Sequence, residues 1–79
     1  MLRVKMSDLV SGDMSDKAYV SERIADFVRA SADTADRLRA GERVEGFDDE
    51  MASALCAIDF EHVSLSLVQR GGELFLEMA

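Results

Sequence analysis

His62 is the only histidine of the chain and directly follows Glu61, so an imidazole and a carboxylate stand side by side. Such a pair can move a proton near neutral pH. Catalysis would also need a nucleophile or a metal set, and no serine or cysteine is spaced to complete one. The run Phe47-Asp48-Asp49-Glu50 concentrates oxygen ligands of the kind a divalent cation takes. A calcium loop sets its oxygens at alternating positions around a glycine turn and closes on a glutamate, and that spacing is absent. Gly71-Gly72 lies between two strand-like runs and so lacks the helix start that would receive a phosphate. Cys56 is the single cysteine, which excludes an internal disulfide and agrees with a reducing compartment. These residues lead to the expectation of a protein that is not an enzyme and holds no cofactor and no metal.

The chemistry that remains is electrostatic. Between Glu42 and Glu61 stand seven acids, Glu42, Glu45, Asp48, Asp49, Glu50, Asp59 and Glu61, against one base, Arg43. Residues 1 to 41 balance seven acids with seven bases, so the whole net charge of -7 lies in residues 42 to 79. A chain of this sign repels phosphate, which argues against direct binding to nucleic acid or to an anionic membrane surface. It is suited instead to a basic protein surface.

The elements that would position these acids can be read from periodicity. At 79 residues the chain is expected to be one compact domain, 1–79, and 48% hydrophobic with 32% charged residues is a composition that folds. No apolar run approaches the roughly 20 residues of a membrane helix, and the N-terminus lacks the apolar block of a signal peptide, so the expected location is the cytoplasm. Leu2, Val4 and Met6 alternate with Arg3 and Lys5, the period of a strand. Ser15 is a candidate N-cap for the helix after it. From Asp16 to Ala40 the positions Val20, Ile24, Phe27, Ser31, Ala35 and Leu38 recur at helical spacing, with Asp33–Arg37 and Asp36–Arg39 as surface pairs. The small residues from Arg29 to Asp36 leave open one bent helix or two. Gly41 marks a helix stop.

A short helix is expected from Phe47, with Asp48 as cap and Asp49 and Glu50 against the positive end of its dipole. Its stripe of Met51, Ala54, Leu55 and Ile58 leaves Cys56 on the far side, where an exposed thiol would permit an intermolecular disulfide. Adjacent glycines at 71 and 72 suit a type I′ hairpin turn. That turn sets Arg70 opposite Glu73, Val68 opposite Phe75, Leu67 opposite Leu76 and Leu65 opposite Met78. One sheet face then holds Val63, Leu65, Leu67, Leu74, Leu76 and Met78, and the other holds Ser64, Ser66, Val68, Arg70, Glu73, Phe75 and Glu77. The expected fold is α+β: a three-stranded antiparallel sheet with two or three helices packed on its aliphatic face, in the order β-α(-α)-α-β-β. Arg3 and Lys5 should meet Glu73 and Glu77 on the outer face, and Val68 with Phe75 there offers a contact for a weak homodimer of an otherwise monomeric chain.

With its single small α+β domain, no catalytic motif and an acidic stretch such as GERVEGFDDE, the chain resembles the small acidic phage-encoded anti-CRISPR proteins directed at multisubunit type I surveillance complexes. The resemblance implies an inhibitor that binds such a complex at its positively charged DNA-binding surface, so that target DNA is excluded. Glu42, Glu45, Asp48, Asp49 and Glu50 would then act as phosphate mimics, followed by Asp59 and Glu61. The alternative class is an antitoxin or small regulatory adaptor acting through its helices or an exposed strand edge.

Overall fold

A computed structural model describes all residues from Met1 to Ala79. The elements run β1 (Leu2–Lys5), α1 (Met6–Leu9), α2 (Lys17–Arg39), α3 (Asp49–Cys56), β2 (Leu65–Arg70) and β3 (Glu73–Met78). The strands form one antiparallel sheet in the order β1-β3-β2, so the last strand in sequence is the central one. This is the α+β arrangement expected from the pattern, with three helices.

α2 is a single helix of 23 residues. The small residues at its centre do not break it, since alanine favours helix. They let it approach α3: Ala35 is fully buried and clusters with Leu55, Ile58 and Met78, and Ser31 is buried beside it. The remaining stripe positions Val20, Ile24, Phe27 and Leu38 pack against the core, with Phe27 touching both of its clusters. The N-cap is Asp16, whose side chain accepts from the Tyr19 amide at 3.1 Å. Ser15, expected in that role, instead donates its hydroxyl and its amide to the Asp13 carboxylate, at 2.7 and 2.8 Å.

Those two bonds stabilise the ionised form of Asp13, side-chain bond first, and hold its carboxyl below the usual aspartate range. A depressed native value stabilises the fold above the unfolded aspartate pKa, and that contribution is lost as pH falls through the native one. The expected NMR titration therefore shows the Asp13 carboxyl ionising below an ordinary aspartate. In Ser15→Ala the midpoint should move up, and an unmoved midpoint would remove this account of the turn.

α1, Met6–Leu9, lies between the first strand and the long helix, where the pattern predicts no helix. Met6, Leu9 and Val10 nevertheless have helical spacing, all three are buried, and they cluster with Leu76 of β3. A single turn is too short to stand out as a periodic pattern.

The hairpin follows the expected register at all six pairs, from Leu65↔Met78 to Arg70↔Glu73. Gly71 and Gly72 have φ of 57° and 79°, the left-handed pair that a type I′ turn requires. Ser64 and Ala79 extend the ladder with reciprocal bonds of 2.8 and 3.0 Å. On the outer face Arg3 pairs with Glu77 at 2.7 Å and Lys5 with Glu73 at 3.5 Å, as the strand pattern implied. The Arg3 guanidinium also lies 5.7 Å from the Phe75 ring centroid, across from Val68.

The inner face departs from expectation. Leu76 and Met78 are buried and Val63 and Leu74 half-buried, but Leu65 and Leu67 are 44% and 54% exposed. The helices contact β1 and β3 and leave the outer strand β2 uncovered. Alternation assigns residues to a face of the sheet and is silent about which strands the helical layer reaches.

Candidate partner-binding surface

The acidic residues are presented by the turn between α2 and α3, by the first turn of α3 and by the segment after it. α2 ends in a Schellman motif: the Gly41 amide bonds to the Leu38 carbonyl at 3.1 Å and the Glu42 amide to the Arg37 carbonyl at 3.0 Å. Gly41 takes φ 87°, the left-handed conformation this motif needs. The motif turns the chain back so that Glu42 sits 3.5 Å from Arg37. Arg37 thus pairs with Glu42, and the expected Asp33–Arg37 pair does not form, while Asp36–Arg39 does, at 3.4 Å.

α3 begins at Asp49, two residues later than expected, and Asp48 is its N-cap with the carboxylate accepting from the Met51 amide at 2.8 Å. Asp49 and Glu50 occupy the first turn, beside the unsatisfied amides that favour negative charge. Replacing Asp48 by alanine should lower stability by about 1 kcal/mol, whereas Asp48→Asn, which keeps the accepting oxygen, should be close to neutral. Urea denaturation of both variants checks this. Equal losses would show that the charge and not the cap matters there.

After α3, Asp59 closes a turn: its carboxylate accepts from the Glu61 amide at 3.1 Å and meets His62 Nδ1 at 2.9 Å. Potential ligand atoms of Asp59, Glu61 and His62 lie within 4.8 Å of one another, and all three side chains are exposed. The turn accounts for their proximity. His62 is a surface residue in this arrangement, 79% exposed. Cys56 is half-buried, with its thiol 4.0 Å from the Ala35 carbonyl. The expectation of a freely exposed thiol on the far side of α3 is therefore corrected: α3 tilts this side of itself toward α2.

All seven acids of the stretch are exposed. Glu42, Glu45, Asp48 and Asp49 line one shallow depression together with Arg43, Leu38 and Phe47. Asp59 and Glu61 line a separate one with Asp36 and Arg39. Arg39 is held there structurally, donating to the Cys56 and Ile58 carbonyls at 2.9 and 3.1 Å and so satisfying carbonyls at the end of α3. Glu45, Asp48, Asp49, Glu50 and Glu61 form no ion pair, leaving their charge uncompensated. What reads as one run in the sequence is thus two acidic concavities in space.

No helix is long and apolar enough to cross a membrane. Comparison with protein-family models, with curated proteins and with solved structures found no match.

Proposed function

We propose that the protein is a small acidic inhibitor that binds the basic, nucleic-acid-binding surface of another protein, and that it acts as an anti-CRISPR on a type I surveillance complex by occupying the path of target DNA. The observation that carries this reading is the depression at the α2–α3 turn. Four exposed carboxylates, Glu42, Glu45, Asp48 and Asp49, rim it, and Glu50 follows in the first turn of α3. Carboxylates fixed on a folded surface offer lysines and arginines the same charge-assisted hydrogen bonds as phosphates. A net charge of -7 adds steering toward a basic groove.

The test is a pull-down from a lysate that contains a type I complex, with wild type beside Glu45→Lys/Asp49→Lys/Glu50→Lys at low and high salt. Wild type should capture the complex, the reversed protein should not, and salt should weaken capture. Equal capture by both would remove the reading.

A second reading is an antitoxin or regulatory adaptor. It is favoured by the apolar groove between α2 and β1, lined by Leu2, Val4, Phe27, Phe47 and the 41% exposed Met51. Binding through that groove would be insensitive to salt and lost in Met51→Asp.

A further inference from the structure

β2 is an outer strand of the sheet, so one of its sides has no strand beside it. Hydrogen-bonded and non-hydrogen-bonded pairs alternate along an antiparallel ladder. Because Ser64 exchanges both bonds with Ala79, the residues turned toward β3 are Ser64, Ser66, Val68 and Arg70. The amides and carbonyls of Leu65, Leu67 and Gln69 therefore point to the open edge. Outer strands are usually protected from pairing by proline, a bulge, lysine or an inward charge. β2 has none of these: its register runs through six pairs without a skip, and LSLVQR carries only the terminal Arg70. On the inner face Leu65 and Leu67 are 44% and 54% exposed.

Charge identifies the occupant. From His62 to Gly72 runs the longest stretch without an acid in a chain of net charge -7, so this strand itself adds no charge repulsion against a second copy. Arg70 ends the strand without an ion pair, and Glu61, also without one, precedes its other end. A strand that is basic at one end and preceded by an acid at the other complements itself in the antiparallel sense, which is the sense a two-fold axis imposes.

We infer that β2 pairs with β2 of a second copy of this chain across a two-fold axis at Leu67, joining two sheets into one of six strands. In this register Leu67 faces Leu67, Leu65 faces Gln69, and Arg70 lies opposite Ser64 and reaches toward Glu61 of the second copy. The three facing pairs are of the hydrogen-bonded kind, each contributing two backbone bonds. Pairing of one short strand from each copy lies at the small end of stable interfaces, so the dissociation constant is on the order of tens of micromolar. Self-association through β2 uses Arg70 and Glu61, both outside the depression at the α2–α3 turn, and so does not depend on what that depression binds.

Sedimentation velocity from about 1 µM to about 500 µM brackets that constant. Wild type should pass from monomer to dimer. Leu67→Lys, which places two like charges on the axis, should weaken the dimer by at least about tenfold, as should Arg70→Glu or Glu61→Arg alone. The double exchange Arg70→Glu/Glu61→Arg should recover it. Far-UV circular dichroism should be unchanged throughout, because these side chains are exposed. Hydrogen exchange should show the Leu65, Leu67 and Gln69 amides protected at high concentration and open at low. A wild type that stays monomeric, a Leu67→Lys dimer as tight as wild type, or a double exchange no better than its single components would overturn the inference. So would edge amides that become protected only when a different protein is added.

Discussion

Leu76→Ala lowers stability by about 2 to 5 kcal/mol, while the same change at its cross-strand neighbour Leu67 costs less than about 1 kcal/mol in the dilute monomer. The two leucines face each other on the same side of the hairpin. Leu76 is 1% exposed and sits among Met6, Leu9 and Val10, so truncation leaves a cavity whose walls are held by β3 and α1. Leu67 is 54% exposed, and truncating it removes little buried surface. For a domain of this length total stability is about 4 to 12 kcal/mol. The Leu76 variant should therefore melt about 10 to 30 °C lower, and Leu67→Ala within a few degrees of wild type. Thermal melts at low protein concentration check the pair. Similar losses at the two positions would mean that the helical layer covers β2 after all.

The second large effect is on binding. Glu45→Lys/Asp49→Lys/Glu50→Lys moves the net charge from -7 to -1 and leaves the Asp48 cap in place. None of the three side chains forms an ion pair within the molecule, so little native structure depends on them beyond the dipole preference of the first turn of α3. If the depression at the α2–α3 turn is what a basic partner grips, reversing three carboxylates replaces charge-assisted bonds with repulsion. The expected loss of affinity is at least about 100-fold, or about 2.7 kcal/mol. Reversing Asp33, which is exposed on α2 outside both depressions, should change affinity by no more than about twofold. Equal losses from Asp33→Lys and the triple reversal would mean that overall charge, and not this surface, governs binding.

The hairpin was legible in the sequence to the residue because two independent constraints, a Gly-Gly turn and strict alternation, fix one register. The Arg3–Glu77 and Lys5–Glu73 pairs followed from placing the first strand on the same sheet. The stripe of α2 was equally legible, whereas its continuity was not. A run such as Arg29 to Asp36 reads as a weak point in isolation, and only the packing of Ala35 on Leu55 shows that small size serves close approach there. α1 is not legible in the sequence, because one turn has no period to detect. Strand order and the bare inner face of β2 depend on which strand ends up central, a long-range outcome that local pattern does not encode. Of the candidate surface, the exposure of the seven acids and the Asp48 cap could be read directly. Their division into two concavities could not, since it depends on the Schellman turn after α2 and on Arg39 tying α3 to α2.

DNA mimicry is tested most directly by displacement of labelled target DNA from a purified type I surveillance complex, followed by fluorescence anisotropy as the protein is titrated in at several salt concentrations. Mimicry predicts full release of DNA by wild type, affinity for the complex that falls steadily as salt rises, and no release by Glu45→Lys/Asp49→Lys/Glu50→Lys. DNA that stays bound at saturating protein, or is released equally by the reversed variant, would contradict it.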